Sequence, residues 1–170
     1  MVRAIMLISL AVAAAGLTAA PALAGMLDKP QGRVILVVSG NIENTNNGDV
    51  AEFDLDMLHA MGVQPLSTTT SWTDGTMEFS GVLLRDVMAA VGAKGKTVEA
   101  VALNDYTFEI AIEDFSRYPV ILATKLNGKI LRVRDKGPLW IVYPLDDFTE
   151  AERVQIERRM VWQLRQLIVK

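Results

Sequence analysis

The stretch from Leu126 to Pro144, LNGKILRVRDKGPLWIVYP, constrains this chain more than any other, because it sets two strand-like runs around a turn that few residues permit. Lys129 to Arg134 alternates with period two, which predicts a strand with Arg132 and Arg134 on one face and Leu131 and Val133 on the other. Asp135, Lys136, Gly137 and Pro138 then predict a tight turn: Gly137 tolerates positive φ, and Pro138 forbids helix and supplies no N–H. Leu139 to Tyr143 is apolar and aromatic, as a strand buried on both faces requires, and Pro144 closes it. Arg132, Arg134 and Lys136 are therefore expected at the mouth of a buried strand, beside Trp140.

At the N-terminus, Arg3 is the only charge in residues 1–24, and an apolar run from Ala4 to Ala15 precedes the small-residue site Ala22-Leu23-Ala24. This pattern predicts a secretory signal peptide over residues 1–24, cleaved before Gly25, because the run is too short and too alanine-rich to span a bilayer. Residues 25–170 are then expected as one exported domain, with 16 cations against 20 anions and a net charge of −4. That balance gives no basis for nucleic-acid binding. The chain has no cysteine, so it contains no disulfide, no thiolate nucleophile and no thiolate metal ligand. Its single histidine, His59, excludes a multi-histidine zinc site.

Within this domain, Val34 to Val38 reads as a buried strand leaving into a polar loop through Asn44, Asn46, Asn47 and Gly48. Asp54 is placed to cap a short helix carrying Leu55, Leu58 and Met61, stopped by Gly62, with His59 on its exposed side. Leu66 to Trp72 is β-prone and includes the hydroxyl run Ser67 to Ser71, and Thr76 to Phe79 continues the strand pattern. Ser80 is expected to cap a helix from Val82 to Val91, whose stripe of Leu83, Leu84, Val87, Met88 and Val91 has helical spacing. Thr97 to Leu103 and Thr107 to Ile112 read as strands interrupted by Asn104, Asp105 and Tyr106. Asn127-Gly128 predicts a hairpin between Val120 to Leu126 and Lys129 to Val133. Thr149 and Glu152 match a capping box, and Val161 to Val169 reads as a final strand with Trp162, Leu164 and Ile168 in period two. About nine strands and three short helices that do not alternate regularly predict an α+β fold with mixed, mainly antiparallel sheets.

Three places join loop formers to functional groups: the hydroxyl run with Trp72, the Asn104-Asp105-Tyr106 break, and the corner from Arg132 to Trp140. Each also has a plain structural reading, as a turn, a solvated face or a core aromatic. If they converge, they supply an aromatic face for stacking, a carboxylate that accepts from N–H groups, and cations that meet oxygen acceptors. That inventory suits a flat, polar heterocycle such as an aminopyrimidinone.

The segments EFSGVLLRDVMAAVGA (Glu78 to Ala93), ALNDY (Ala102 to Tyr106), LNGKILRVRDKGPLWIVYP and VWQL (Val161 to Leu164) resemble, in that order, the sulfite-oxidase-type molybdopterin-binding domain. The resemblance implies that family's mixed α+β fold and a pterin pocket. Catalytic members ligate molybdenum through a cysteine placed a few residues before the segment corresponding to Trp72, where this chain reads Thr68-Thr69-Thr70. A hydroxyl is a much poorer ligand than a thiolate at such a soft-donor position. The chain thereby is similar to a cysteine-free branch, the PruR-type periplasmic pterin-binding proteins, whose members bind a reduced pterin and regulate an inner-membrane cyclic-di-GMP enzyme through its periplasmic domain. The resemblance implies that Trp72 stacks on or walls the ring, that Asp105 holds its amino and imino groups, and that Tyr106 flanks it. Arg134, Lys136 and the Gly137 backbone are implied to meet ligand oxygens, with Arg132 a second choice, while Asn104 and Trp140 complete the candidate set.

Three functions stay open at this level. The first is a periplasmic pterin-binding regulator, holding a reduced pterin such as a tetrahydropterin. The second is a molybdopterin-dependent oxidoreductase, or its redox subunit, with an unusual metal ligand. The third is an empty scaffold acting through protein contacts alone.

Overall fold

A computed structural model describes residues 27–170 of the chain, and the predicted signal peptide over residues 1–24 lies outside them. Apolar residues that alternate or run continuously along the strands form two five-stranded sheets. The first contains β1 (Leu36–Gly40), β2 (Ala51–Phe53), β5 (Thr97–Ala102), β6 (Thr107–Ala111) and β10 (Leu164–Val169), in the order β2-β1-β10-β5-β6. Only β1 and β10 pair in parallel within it. The second is wholly antiparallel and contains β3 (Val63–Thr68), β4 (Met77–Leu83), β7 (Ile121–Leu126), β8 (Lys129–Ile130) and β9 (Trp140–Val142). Four short helices join them: α1 (Leu55–Ala60), α2 (Leu84–Ala90), α3 (Glu113–Arg117) and α4 (Glu150–Glu157). The architecture is the mixed, mainly antiparallel α+β fold that the residue pattern predicts. No helix among the described residues is long and apolar enough to cross a membrane.

Several local rules hold as written in the sequence. Asn127 and Gly128 adopt φ of 47° and 75°, the left-handed pair a two-residue hairpin needs. Thr149 and Glu152 form both halves of the capping box on α4. Asp54 caps α1 through Met57 N–H, and its other oxygen accepts the Gly32 and Gln31 N–H groups at 2.7 and 2.8 Å.

Those amides hold the Asp54 carboxyl below its ordinary value of 3.8, the Met57 and Gly32 bonds being the largest causes. The stability this supplies is complete above that ordinary value and is lost as pH falls through the lowered folded value. Asp54→Ala is expected to cost about 1–2 kcal/mol at neutral pH, a full cap's worth. Urea unfolding at pH 7 and at about pH 3 checks this, because the difference between wild type and variant should shrink at the lower pH. A difference that persists unchanged in acid would assign the loss to packing.

Elsewhere tertiary pairing overrides local signals. Ser80 does not cap a helix: β4 runs on to Leu83 because Ser80 to Val82 lies between β3 and β7 and Leu83 still pairs with β7, and α2 begins at Leu84 with no side-chain cap. The strand predicted from Lys129 to Arg134 stops at Ile130. Its reason is competition for one edge of β7, where β9 takes Ile121 to Ala123 and leaves only Lys125 and Leu126 to β8. Val133–Asp135 instead turns as a 3-10 helix, closed by Arg132 Nε donating to Asp135 at 2.9 Å, so Arg132 and Arg134 do not share a strand face. At the C-terminal end, a register irregularity between Leu164 and Gln166 breaks the expected period: Leu164, Leu167 and Val169 are buried, and Ile168 is not. His59 is half-buried rather than exposed, with Nε2 2.9 Å from Thr124 Oγ1, and its burial lowers its proton affinity. Two elements, β2 and α3, are additional to the sequence expectation.

Candidate functional site

The first wall of the site begins where β3 ends. Thr69 leaves the sheet because Asp146 captures it: the Thr69 N–H donates to Oδ2 at 2.9 Å and its hydroxyl donates to Oδ1. Arg153 of α4 donates to the same hydroxyl and lies 3.4 Å from the carboxylate. The Thr69 hydroxyl, then the Thr69 amide and Arg153, hold the Asp146 carboxyl below its ordinary value. Two residues on, Ser71 N–H donates to Glu157 Oε1 at 2.8 Å, which ties the loop to the end of α4. Trp72 is thereby set edge-on to Trp162, with centroids 4.8 Å apart and planes at 84°. Trp140 backs both rings at 6.1 and 6.2 Å, and Phe79 backs Trp140 at 5.2 Å, so the aromatic wall is continuous with the core.

The opposite wall is the break between β5 and β6. Asn104 Oδ1 accepts the Tyr106 N–H at 3.2 Å, and Asp105 takes φ of 64°. Lys136 and Gln163 are also left-handed, at 70° and 49°. Two of these residues are joined directly: Gln163 N–H donates to Lys136 O at 2.9 Å, and Gln163 O accepts the Leu103 N–H at 2.8 Å, next to the break that holds Asp105. Left-handed conformations of this kind are costly for ordinary residues and gather where a site needs them. Lys136 Nζ lies 4.8 Å from the Trp162 ring centroid, a cation–π contact that helps to hold the ring.

Between these walls is a cleft of about 410 Å³, within the roughly 300–1,000 Å³ usual for small-molecule sites. Trp72, Asn104 and Tyr106 line it together, as convergence of the first two sequence stretches requires. Lys136 reaches it through Trp162. The remaining predicted residues are elsewhere. Asp105 is not among the lining residues; its side chain is 83% exposed and pairs with Arg165 at 2.7 Å. Arg132 lines a separate open groove beside β8, and Arg134 is exposed, 3.8 Å from Asp135. The Gly137 N–H donates to Arg132 O at 2.8 Å, which takes it from any ligand. Trp140 is fully buried.

Trp162, Glu157 and Arg158 are among the lining residues that the sequence did not single out. Trp162 had a visible signal, an aromatic residue in the VWQL segment, but it counts there as one more residue of strand period. Glu157 and Arg158 sit in a charge-rich helix end, which looks the same in sequence whether it faces solvent or a cleft.

A molybdenum held as in catalytic relatives does not fit these donors. The chain has no cysteine, and the hydroxyls at the corresponding place are already engaged. Thr68 is fully buried, donating to Thr69 O and accepting from Asp146 N–H, and Thr70 meets Thr73 at 2.9 Å. Among the described residues no three His, Cys, Asp or Glu side chains cluster as metal ligands. A flat heterocycle does fit, because the cleft has aromatic surface on one side and amide, hydroxyl, carboxylate and guanidinium groups around it.

Comparison with known proteins agrees with this architecture. The chain is structurally similar to the sulfane dehydrogenase SoxCD from Paracoccus pantotrophus, with a TM-score of 0.58 and 19% identity over 79% of this chain. At that identity the likeness concerns the fold, and the match spans 37% of the SoxCD chain. No curated protein sequence matches the chain. A family model described as the oxidoreductase molybdopterin binding domain matches residues 51–147, which include Trp72, Asn104 and Tyr106 and stop short of α4 and Trp162. With more than half of its residues matched by that model, this chain belongs to the oxidoreductase molybdopterin-binding domain family.

Proposed function

We propose that this chain binds a pterin in the cleft without performing molybdenum chemistry, and that it serves in the periplasm as a regulator of an inner-membrane cyclic-di-GMP signalling enzyme, through that enzyme's periplasmic domain. One observation carries the binding half: a molybdopterin-domain fold keeps an aromatic-walled cleft of ligand size while the whole chain lacks a thiolate. In this reading Trp72 and Trp162 wall the ring, Tyr106 closes the side, and Asn104 offers an amide that both donates and accepts. A reduced pterin such as a tetrahydropterin is the ligand. The regulatory half, with its periplasmic location and its partner, rests on the likeness of the four sequence segments to the cysteine-free branch of the family.

The family's own description favours a second reading, a molybdopterin-dependent oxidoreductase or its redox subunit. Ligand content separates the two. Protein purified natively is treated with acid, the released material is identified by fluorescence and mass, and molybdenum is assayed on the same sample. The expected result is a stoichiometric pterin without molybdenum. Stoichiometric molybdenum would overturn the non-catalytic reading and direct mutagenesis to Thr68, Thr69 and Thr70. Absence of both would leave a protein that acts through surface contacts alone.

A further inference from the structure

We infer that Glu157 is the carboxylate that recognises the ligand's donor edge, and that it makes the cleft selective for 2-amino-4-oxopteridines over pteridine-2,4-diones. The inference rests on the pterin-binding reading above and assigns that site its specificity residue. Two carboxylates stand near the cleft, and their surroundings differ. Asp105 points away from it, its Oδ1 bonded to Arg165 Nη2, while Arg165 Nε is itself fixed on Ala102 O at 3.0 Å. Glu157 lines the cleft and is half-buried. Its Oε1 accepts the Ser71 N–H at 2.8 Å, and among the described residues no donor meets Oε2.

A carboxylate oxygen accepts more than one hydrogen bond, so the Ser71 contact orients the group without exhausting it. The amide of the residue before Trp72 thus aims a carboxylate into the same space that Trp72 and Trp162 wall with aromatic surface. An aminopyrimidinone ring lying there presents an exocyclic amine and a neighbouring ring N–H, both donors, to that carboxylate. A dione keeps the ring N–H but presents a carbonyl oxygen in place of the amine, which sets acceptor against acceptor at one of the two contacts. The neighbouring Arg158, which also lines the cleft, offers a guanidinium to an oxo group of the ring.

Glu157→Gln provides a clean test, because the glutamine carbonyl still accepts the Ser71 N–H and so preserves the loop anchor. Purified wild type, E157Q and D105N are titrated with 6,7-dimethylpterin and with 6,7-dimethyllumazine, followed by ligand fluorescence. Wild type is expected to bind the pterin roughly 10–100-fold more tightly than the lumazine, as for a hydrogen bond to a charged group. E157Q should lose most of that ratio, and D105N should change it by less than about twofold, as for a surface charge outside the cleft. An unchanged ratio in E157Q, or a ratio abolished in D105N, overturns the assignment while leaving the cleft reading intact. Equal binding of the two probes by wild type does the same. Wild type that binds neither probe overturns the pterin reading and this assignment with it.

Discussion

Trp140→Ala is expected to destabilise the protein by about 3–5 kcal/mol, the range for truncating a large, fully buried aromatic side chain. Trp140 has no exposed surface, packs edge-on to Phe79, and donates from Nε1 to Met160 O at 3.2 Å. Removing it leaves a cavity against the second sheet and takes the indole donor from the Met160 carbonyl, and it also removes the backing of Trp72 and Trp162. Ligand binding should therefore fail together with stability. Urea unfolding, compared with Trp162→Ala, distinguishes the two tryptophans. Trp162 is only half-buried and faces the cleft, so its truncation should spare more stability while weakening binding. If Trp140→Ala unfolds within about 1 kcal/mol of wild type, the continuous wall from Phe79 outward does not organise the site.

The same residue shows how far the sequence could be read. Trp140 follows a turn rich in cations, and at the level of sequence an aromatic residue beside cations suits a ligand wall as well as a core. Its own strand decides between them: Leu139 to Tyr143 is continuously apolar, the pattern of a strand covered on both faces, and all five residues are buried. Local devices were legible because their chemistry lies within three or four residues, as with Asp54 and Met57, Thr149 and Glu152, or Asn127-Gly128. The fold class was legible because strands outnumber helices without alternating with them. What could not be read was competition between distant segments. Nothing in Lys129 to Arg134 announces that Trp140 to Val142 will take the same edge of β7. Likewise nothing near Glu157 announces Ser71, 86 positions away, so one wall of the cleft had no signature in the chain.

A second large effect is expected at Asp114, where one carboxylate oxygen holds two partners. Tyr143 Oη donates to Oδ2 at 2.9 Å, and Arg159 Nη1 donates to the same atom at 2.5 Å. The three residues join α3, the end of β9 and the segment that follows α4. Burial first, and the Asp114 charge second, push the Tyr143 hydroxyl far above its ordinary value of 10.0, so it stays protonated and remains a donor. Asp114→Ala strands that hydroxyl and leaves the Arg159 guanidinium without its anion, although about a third of the Arg159 side chain still reaches water at 31% exposure. A fully buried pair broken on one side costs about 3–5 kcal/mol, and this partial solvation sets the expectation at about 3 kcal/mol. Tyr143→Phe removes one hydrogen bond, keeps the ion pair, and should cost about 1 kcal/mol. Stability should also decline above about pH 10, as the unfolded chain ionises a tyrosine that the folded chain keeps neutral, and Tyr143→Phe should remove that part of the decline. Arg159 is adjacent to Arg158 and close to Glu157, so releasing it loosens the wall that carries both cleft residues. Asp114→Ala should therefore weaken pterin binding in the absence of denaturant, where it is still folded, and Tyr143→Phe should not. Equal losses of stability in the two variants would mean that the ion pair contributes nothing beyond the tyrosine bond, and the cleft wall would then be held by α4 and Ser71 alone.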